Sequence, residues 1–381
     1  MGVSFDVSAL STPCYVVDRA LLEQNLARLR GVADNTGCRI LLAQKAFSMF
    51  YFYPIIGQYL HGTTASGVFE ARLGREEMGG ETHIFSPAYT MRDFLEAAQL
   101  CEHMVFNSFG QWQNFQEHAL RLKQERGTSF GIRINPECST QNHGIYDPCA
   151  THSRLGVTRE NFREELLDGI DGLHFHTLCE QNADALQTTL AAVEQRFGEF
   201  LGRMKWINFG GGHHITRKDY DVELLEREIV RFSHKYGVQV YLEPGEAVAL
   251  NTGFLVTEVI DILHNGMDIA ILDTSAACHM PDVLEMPYRP EIVGAALPGK
   301  KEYNYRLGGL TCLAGDVIGD YSFDTALHIG DRLILCDMAH YSMVKNNTFN
   351  GMPLPAIYAA ENCKTVLVKR FGYEDFKVRL S

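Results

Sequence analysis

Residues 173–212 read LHFHTLCEQNADALQTTLAAVEQRFGEFLGRMKWINFGGG. The stretch opens on a short apolar segment, Leu173–Phe175, and closes on another, Trp206–Phe209, which runs into Gly210-Gly211-Gly212. Between them Leu186, Leu190, Val193, Phe197 and Leu201 recur every three or four residues, which puts an apolar stripe on one helix face. Strand, amphipathic helix, strand is the unit that joins parallel neighbours through a right-handed crossover. The same alternation extends from residue 18 to about 250. Further strands are expected at Ile40–Ala43, Gly62–Ala65, Thr82–Phe85, Met104–Phe106, Phe130–Ile134 and Val238–Leu242. Val222, Leu225, Ile229, Phe232 and Tyr236 mark another helix. Eight strands with intervening helices close a (β/α)8 barrel, and strand count favours it over an open doubly wound sheet.

After residue 250 the texture changes. Phe254–Leu263, Met267–Asp273, Arg332–Met338 and Thr365–Lys369 are β-like, with Gly, Pro and Asn between them. The expected division is a barrel over 18–250 and a β-rich domain over 251–381, to which residues 1–17 return through a strand at Pro13–Val17.

Bulk properties narrow the class. The chain has 381 residues, 46% hydrophobic and 21% charged, which suits a soluble protein with a barrel-sized core and a smaller domain. No run of 18 apolar residues occurs, so no membrane span is expected. Met1–Leu10 carries Asp6 and lacks a basic segment before an apolar one, so no secretion signal is expected and the location is read as cytoplasmic. The ten cysteines form no C-x-x-C pair and are read as free thiols. A net charge of −13 argues against nucleic acid and is compatible with a cationic substrate.

In a barrel, chemistry sits where strands end. Those ends here are Gln44-Lys45, Ser66, Ser86-Pro87, Asn107, Asn135-Pro136, His176, Gly210-Gly211-Gly212 and Glu243-Pro244-Gly245-Glu246. Lys45 follows Leu41-Leu42-Ala43-Gln44; apolar flanks would lower its pKa and free its amine, though a lysine there can also snorkel to the surface. The glycine triplet suits backbone N–H groups aimed at a phosphate, or a tight turn. Glu243 is either a site carboxylate or a solvated turn residue. His176 either stacks on an aromatic ligand or is a satisfied core histidine. Cys138, His143, Cys149 and His152 are spaced C-x4-H and C-x2-H, looser than paired zinc ligands, so an active-site loop is expected there and no metal.

Together, the lysine after the first barrel strand, the histidine after the sixth, the glycine triplet after the seventh and Glu-Pro-Gly after the eighth resemble the fold-type III decarboxylases dependent on pyridoxal 5'-phosphate (PLP). These include the ornithine, diaminopimelate and carboxynorspermidine enzymes. Gly308-Gly309-Leu310-Thr311-Cys312-Leu313-Ala314-Gly315-Asp316 is similar to the family's Gly-Pro-x-Cys segment. Ser153-Arg154-Leu155-Gly156 resembles its Ser-Lys-Phe-Gly. Ala339-His340-Tyr341 with Phe349-Asn350-Gly351 resembles its phosphate-binding tyrosine and Phe-Asn-Gly. The likeness runs from Thr12 to about Phe371.

The resemblance implies an α/β fold: an alanine racemase-like, PLP-binding TIM barrel plus a C-terminal β domain, assembled as a homodimer with shared active sites. It implies that Lys45 carries PLP, that Gly210, Gly211, Gly212 and Tyr341 hold its phosphate, that His176 stacks on it, and that Glu243 keeps its ring nitrogen protonated. Cys312, from the partner subunit, would deliver a proton; the plain alternative is a buried small hydrophobe. Where ornithine and diaminopimelate enzymes usually carry Glu-Pro-Gly-Arg, this chain has Glu246. With His213-His214, Leu178-Cys179-Glu180 and His279-Met280-Pro281-Asp282, this resembles the carboxynorspermidine/carboxyspermidine decarboxylase branch. Glu246 and Asp282 then match carboxylates that meet substrate amines, and Asp316 is read with them as a substrate contact. The implied activity is decarboxylation of carboxyspermidine or carboxynorspermidine to spermidine or norspermidine. The alternatives are a diaminopimelate or other basic amino acid decarboxylase, and a PLP carrier without decarboxylase activity, although carriers are usually the barrel alone.

Overall fold

The computed structural model describes residues 3–141 and 144–381; Asn142 and His143, the latter one of the loop residues weighed above for zinc, lie outside the described residues. The chain divides into two compact units, one over Gln24–Val248 and one formed by the residues up to Glu23 and from Ala249 onward.

The first unit is a closed barrel of eight parallel strands. Numbering along the chain from β1 (Cys14–Asp18), its strands are β2 (Arg39–Ala43), β3 (Gly62–Ala65), β4 (Glu81–Phe85), β5 (His103–Phe106), β6 (Ser129–Arg133), β7 (Ile170–His174), β8 (Trp206–Asn208) and β9 (Gln239–Leu242). Each pairs with the next, and the ring closes through Arg39 with Tyr241 and Ile40 with Leu242. These strands lie within one residue of the expected ones, except that β7 begins at Ile170, three residues before the expected Leu173. The stripes read from the sequence become helices Ala183–Leu201 and Val222–Tyr236, both with buried apolar faces. The second is capped by Asp221, whose side chain accepts the Leu224 N–H, and ends on Gly237 at φ +67°.

The barrel interior is filled by side chains. Trp206 lies against β6 and β7, where only glycine leaves room. A Cβ at Gly172 would stand 2.1 Å from Trp206 Cδ2, and one at Gly131 2.4 Å from its Cη2. Leu41, Val105 and Tyr241 join Trp206 in one cluster. His83 and His103 stack beside it with ring centroids 4.0 Å apart. Burial drives both imidazoles to the neutral form, His83 to about 3 and His103 to about 2.

The second unit is an eight-stranded sheet in the order β13-β12-β11-β10-β1-β15-β16, with β14 also on β10. Its strands after β1 are β10 (Gly253–His264), β11 (Asp268–Leu272), β12 (Tyr303–Gly308), β13 (Val317–Phe323), β14 (Arg332–Cys336), β15 (Ala356–Glu361) and β16 (Lys364–Lys369). β10 is long enough to pair with β1 and β14 in its first half and, past an irregularity at Val259–Asp261, with β11 in its second. Three of these strands were not expected. β12 and β13 carry Arg306 and Asp320 as a cross-strand ion pair, 2.7 Å, which masks their alternation. β15 is alanine-rich and weak in strand propensity; it is held because β1 and β16 flank it. Among the described residues no helix is long and apolar enough to cross a membrane.

Candidate active site

At the strand ends of the barrel unit, Lys45, His174, His176, Gly211 and Glu243 line one cavity of about 640 Å³, with Phe85, Arg133 and residues 144–148 and 150–155 around them. Lys45 is placed by its neighbour. Gln44 is buried, donates from Nε2 to the Glu70 carbonyl at 2.8 Å, and accepts from the Tyr53 hydroxyl at 3.1 Å. Lys45 Nζ then lies 3.4 Å from His176 Nε2. His176 Nδ1 accepts the Gly211 N–H at 2.9 Å, so the ring proton belongs on Nε2, facing Nζ. An Nε2–H aimed at Nζ needs an unprotonated amine. Burial pushes Lys45 the same way, below its ordinary value; Glu243 opposes the shift and Arg133 reinforces it.

Glu243 is held as a carboxylate. Burial disfavours its charge, but His174, at 3.2 Å from Oε2, and the Asn208 amide, donating to Oε1 at 2.8 Å, outweigh that and keep it well below the usual carboxylate range. Asn208 also accepts the Gly210 N–H at 2.8 Å, tying the acid to the glycine turn. Gly210 and Gly212 have φ of +70° and +81°. A Cβ would stand 2.5 Å from the Phe175 carbonyl at Gly210, 2.5 Å from the Glu243 carbonyl at Gly211, and 2.0 Å from the Leu178 carbonyl at Gly212. The triplet is therefore required by close backbone packing as well as by any ligand.

Several residues here went unread in the sequence. Arg133 ends β6 with its guanidinium over the Phe85 ring at 4.5 Å and donates to the His176 carbonyl at 3.0 Å; burial lowers its pKa to about 10. Its signal was a cation inside an apolar strand. Glu70 accepts the Ser66 N–H at 2.7 Å; burial raises its pKa, and Lys45 opposes that. Glu246, which the sequence did single out, has His214 Nε2 3.3 Å from Oε1.

In the sheet unit, Cys312 is exposed and its N–H donates to Asn350 Oδ1 at 2.8 Å. Asp316 is buried. Its carboxylate accepts from the Ser275 hydroxyl at 2.8 Å, the Thr311 hydroxyl at 2.7 Å, and the N–H groups of Thr311 and Ala277, both at 3.2 Å. It thereby orders the turn that carries Cys312. Asp282 bonds Lys345 Nζ, which also reaches Glu285 at 2.6 Å. Tyr341 is half-buried, with φ of +49°, an uncommon conformation for a bulky side chain.

Among the described residues, only Glu81, His83 and His103 are close enough to share a metal ion, and they lie in β4 and β5 within the strand-start half of the barrel. The stacked rings are 17° from parallel, so their in-plane lone pairs run side by side, and Arg39 already pairs with Glu81. Cys138, Cys149 and His152 do not join such a group.

Comparison with known proteins places the chain in a family. The profile described as "Pyridoxal-dependent decarboxylase, C-terminal sheet domain" matches residues 14–339. A carboxynorspermidine/carboxyspermidine decarboxylase of Campylobacter jejuni is 44% identical, over 97% of this chain and 98% of that one. A carboxyaminopropylagmatine decarboxylase of Synechocystis is 42% identical, over 98% of this chain and 96% of that one. The crystal structure of the Campylobacter jejuni carboxynorspermidine decarboxylase complexed with norspermidine superposes with a TM-score of 0.91 at 43% identity, over 97% of this chain and all of the other. The diaminopimelate decarboxylase of Helicobacter pylori, at 16% identity and TM-score 0.83 over 98% of this chain and 97% of that one, shares the fold. The chain belongs to the pyridoxal-dependent decarboxylases, in the branch of the carboxynorspermidine/carboxyspermidine decarboxylases.

Proposed function

We propose that the protein releases carbon dioxide from the amino acid end of carboxynorspermidine or carboxyspermidine, with PLP carried on Lys45. The observation that carries this is the arrangement of Lys45 Nζ, its pKa lowered by burial, 3.4 Å from His176 Nε2, with an ionised Glu243 fixed by His174 and Asn208 in the same cavity. That donor set fits the cofactor: an amine to join its aldehyde, an imidazole to lie on its ring, a carboxylate for its ring nitrogen, and the turn at Gly210, Gly211 and Gly212 for its phosphate; the family resemblance adds Tyr341 as a further phosphate ligand. When bound, PLP supplies a sink for the electron pair left by departing carbon dioxide. The protein groups do the rest. Burial keeps Lys45 reactive, Glu243 holds a proton opposite its carboxylate, and Glu246 and Asp282 bind substrate ammonium groups. Asp316 supports the Cys312 turn, and Cys312 returns a proton to the carbon.

The working unit is a homodimer. Leu310, Leu313 and Phe349 are exposed around Cys312 and its Asn350 partner, which suits cover by a second copy. The cytoplasm suits ten cysteines that are free thiols.

A second substrate, carboxyaminopropylagmatine, is favoured by the Synechocystis relative and differs in ending on a guanidinium. Diaminopimelate is disfavoured, because Glu246 stands where a second carboxylate would need a cation. Carbon dioxide release from carboxynorspermidine, carboxyspermidine, carboxyaminopropylagmatine, diaminopimelate and ornithine tests the proposal. One of the first two should show the highest kcat/KM. Preference for diaminopimelate or ornithine, or no release from any of them, would overturn it.

A further inference from the structure

The His213-His214 pair is a sequence feature that the chemistry above leaves unused. We propose that His214, held by Arg217, is a positioning residue that aims the Glu246 carboxylate at a substrate ammonium; this rests on Glu246 being a substrate contact.

The backbone places both residues. His214 N–H donates to the Gln181 carbonyl at 3.2 Å, and Gln181 N–H to the Gly212 carbonyl at 3.0 Å. The Thr216 hydroxyl donates to the Ala247 carbonyl at 2.6 Å, fastening this loop to the segment after Glu246. Gly245 presses on the residue next to Lys45: a Cβ there would be 2.6 Å from Ala46 Cβ. Glu246 is thus set beside the Lys45 turn from one side and the His214 loop from the other.

The ring is oriented as well. His214 Nδ1 faces Arg217 Nη1 at 3.5 Å. A guanidinium only donates, so Nδ1 accepts and the ring proton belongs on Nε2. Arg217 is itself fixed by Asp219 at 2.6 Å and the Glu180 carbonyl at 3.3 Å. His214 is buried, and its Nε2 lies 3.3 Å from Glu246 Oε1 without an aligned hydrogen bond. A buried N–H in need of an acceptor restrains the carboxylate beside it.

The test uses PLP-loaded enzyme and the better substrate of carboxyspermidine and carboxynorspermidine. His214→Leu should raise KM about tenfold or more, with kcat within about threefold and the visible spectrum of bound PLP unchanged. His214→Gln, which restores an N–H, should recover most of the KM. Arg217→Gln should raise KM in the same way, and it answers the question if His214→Leu does not fold. Unchanged KM in His214→Leu, or failing that in Arg217→Gln, overturns the proposal; so does a matched loss of kcat and PLP absorbance. Glu246→Gln separates the two levels. If it raises KM while the His214 variant does not, only the positioning role fails. If Glu246→Gln leaves KM unchanged, the substrate contact fails and the positioning role with it.

Discussion

At the level of single residues, the chemistry rests on which groups are kept neutral and which charged. Lys45 is shifted downward by burial, and Glu243 is the strongest of the groups that hold the shift back. In PLP-free protein, acylation of Lys45 should therefore show a pH midpoint below the ordinary lysine value of about 10.4. Glu243→Gln removes the anion that favours the ammonium form, so it should move the midpoint further down. A midpoint at or above the ordinary value would count against a desolvated amine. Asp282 has acquired a meaning that its sequence did not convey. It already holds the ammonium of Lys345, shared with Glu285. Asp282→Asn weakens that clamp and leaves Lys345 less compensated, which on the proposed substrate role of Asp282 opposes a cationic substrate. Its kcat/KM for the polyamine precursor should fall by one to three powers of ten, about 2–5 kcal/mol for a disrupted charge pair. Steady-state assays with PLP occupancy monitored would show it; intact kcat/KM would remove Asp282 from substrate binding.

Elements meet here through missing side chains. The fifth and sixth barrel strands, β6 and β7, approach Trp206 because Gly131 and Gly172 carry no Cβ. Gly172→Ala should lower stability by at least about 1–3 kcal/mol, the usual cost of overpacking. Paired with Trp206→Leu, the same alanine should cost markedly less, since the clash is with the indole. Thermal or urea unfolding of the two single variants and the double would decide. Additive losses would mean that the glycine serves the strand and not the indole.

The whole molecule enters through Cys312. Its turn is supported from within its own unit by Asp316 and Asn350, and its flanking leucines are exposed. Mixed Lys45→Ala and Cys312→Ala proteins, each weak alone, should regain part of the activity by subunit exchange, because one of the two sites in a hybrid would be intact. Sedimentation should give twice the chain mass. Proven exchange without recovery would argue for sites completed within one chain.

In the barrel unit the order of strands and helices, and the placing of Lys45, His176, the glycine triplet and Glu243 at strand ends, was legible in the sequence. Periodicities of 2 and 3.6 are local, and a polar residue after an apolar run marks itself. What the tertiary structure decided depends on residues far apart in the chain. Ala356–Glu361 is a strand only because Cys14–Asp18 and Lys364–Lys369 flank it. Asp316 is buried among donors at 275, 277 and 311, a setting that its own segment could not announce. The proton on His176 is assigned by an N–H 35 positions away, at Gly211. A hydrogen bond has two ends, and a sequence displays them without saying which two will meet.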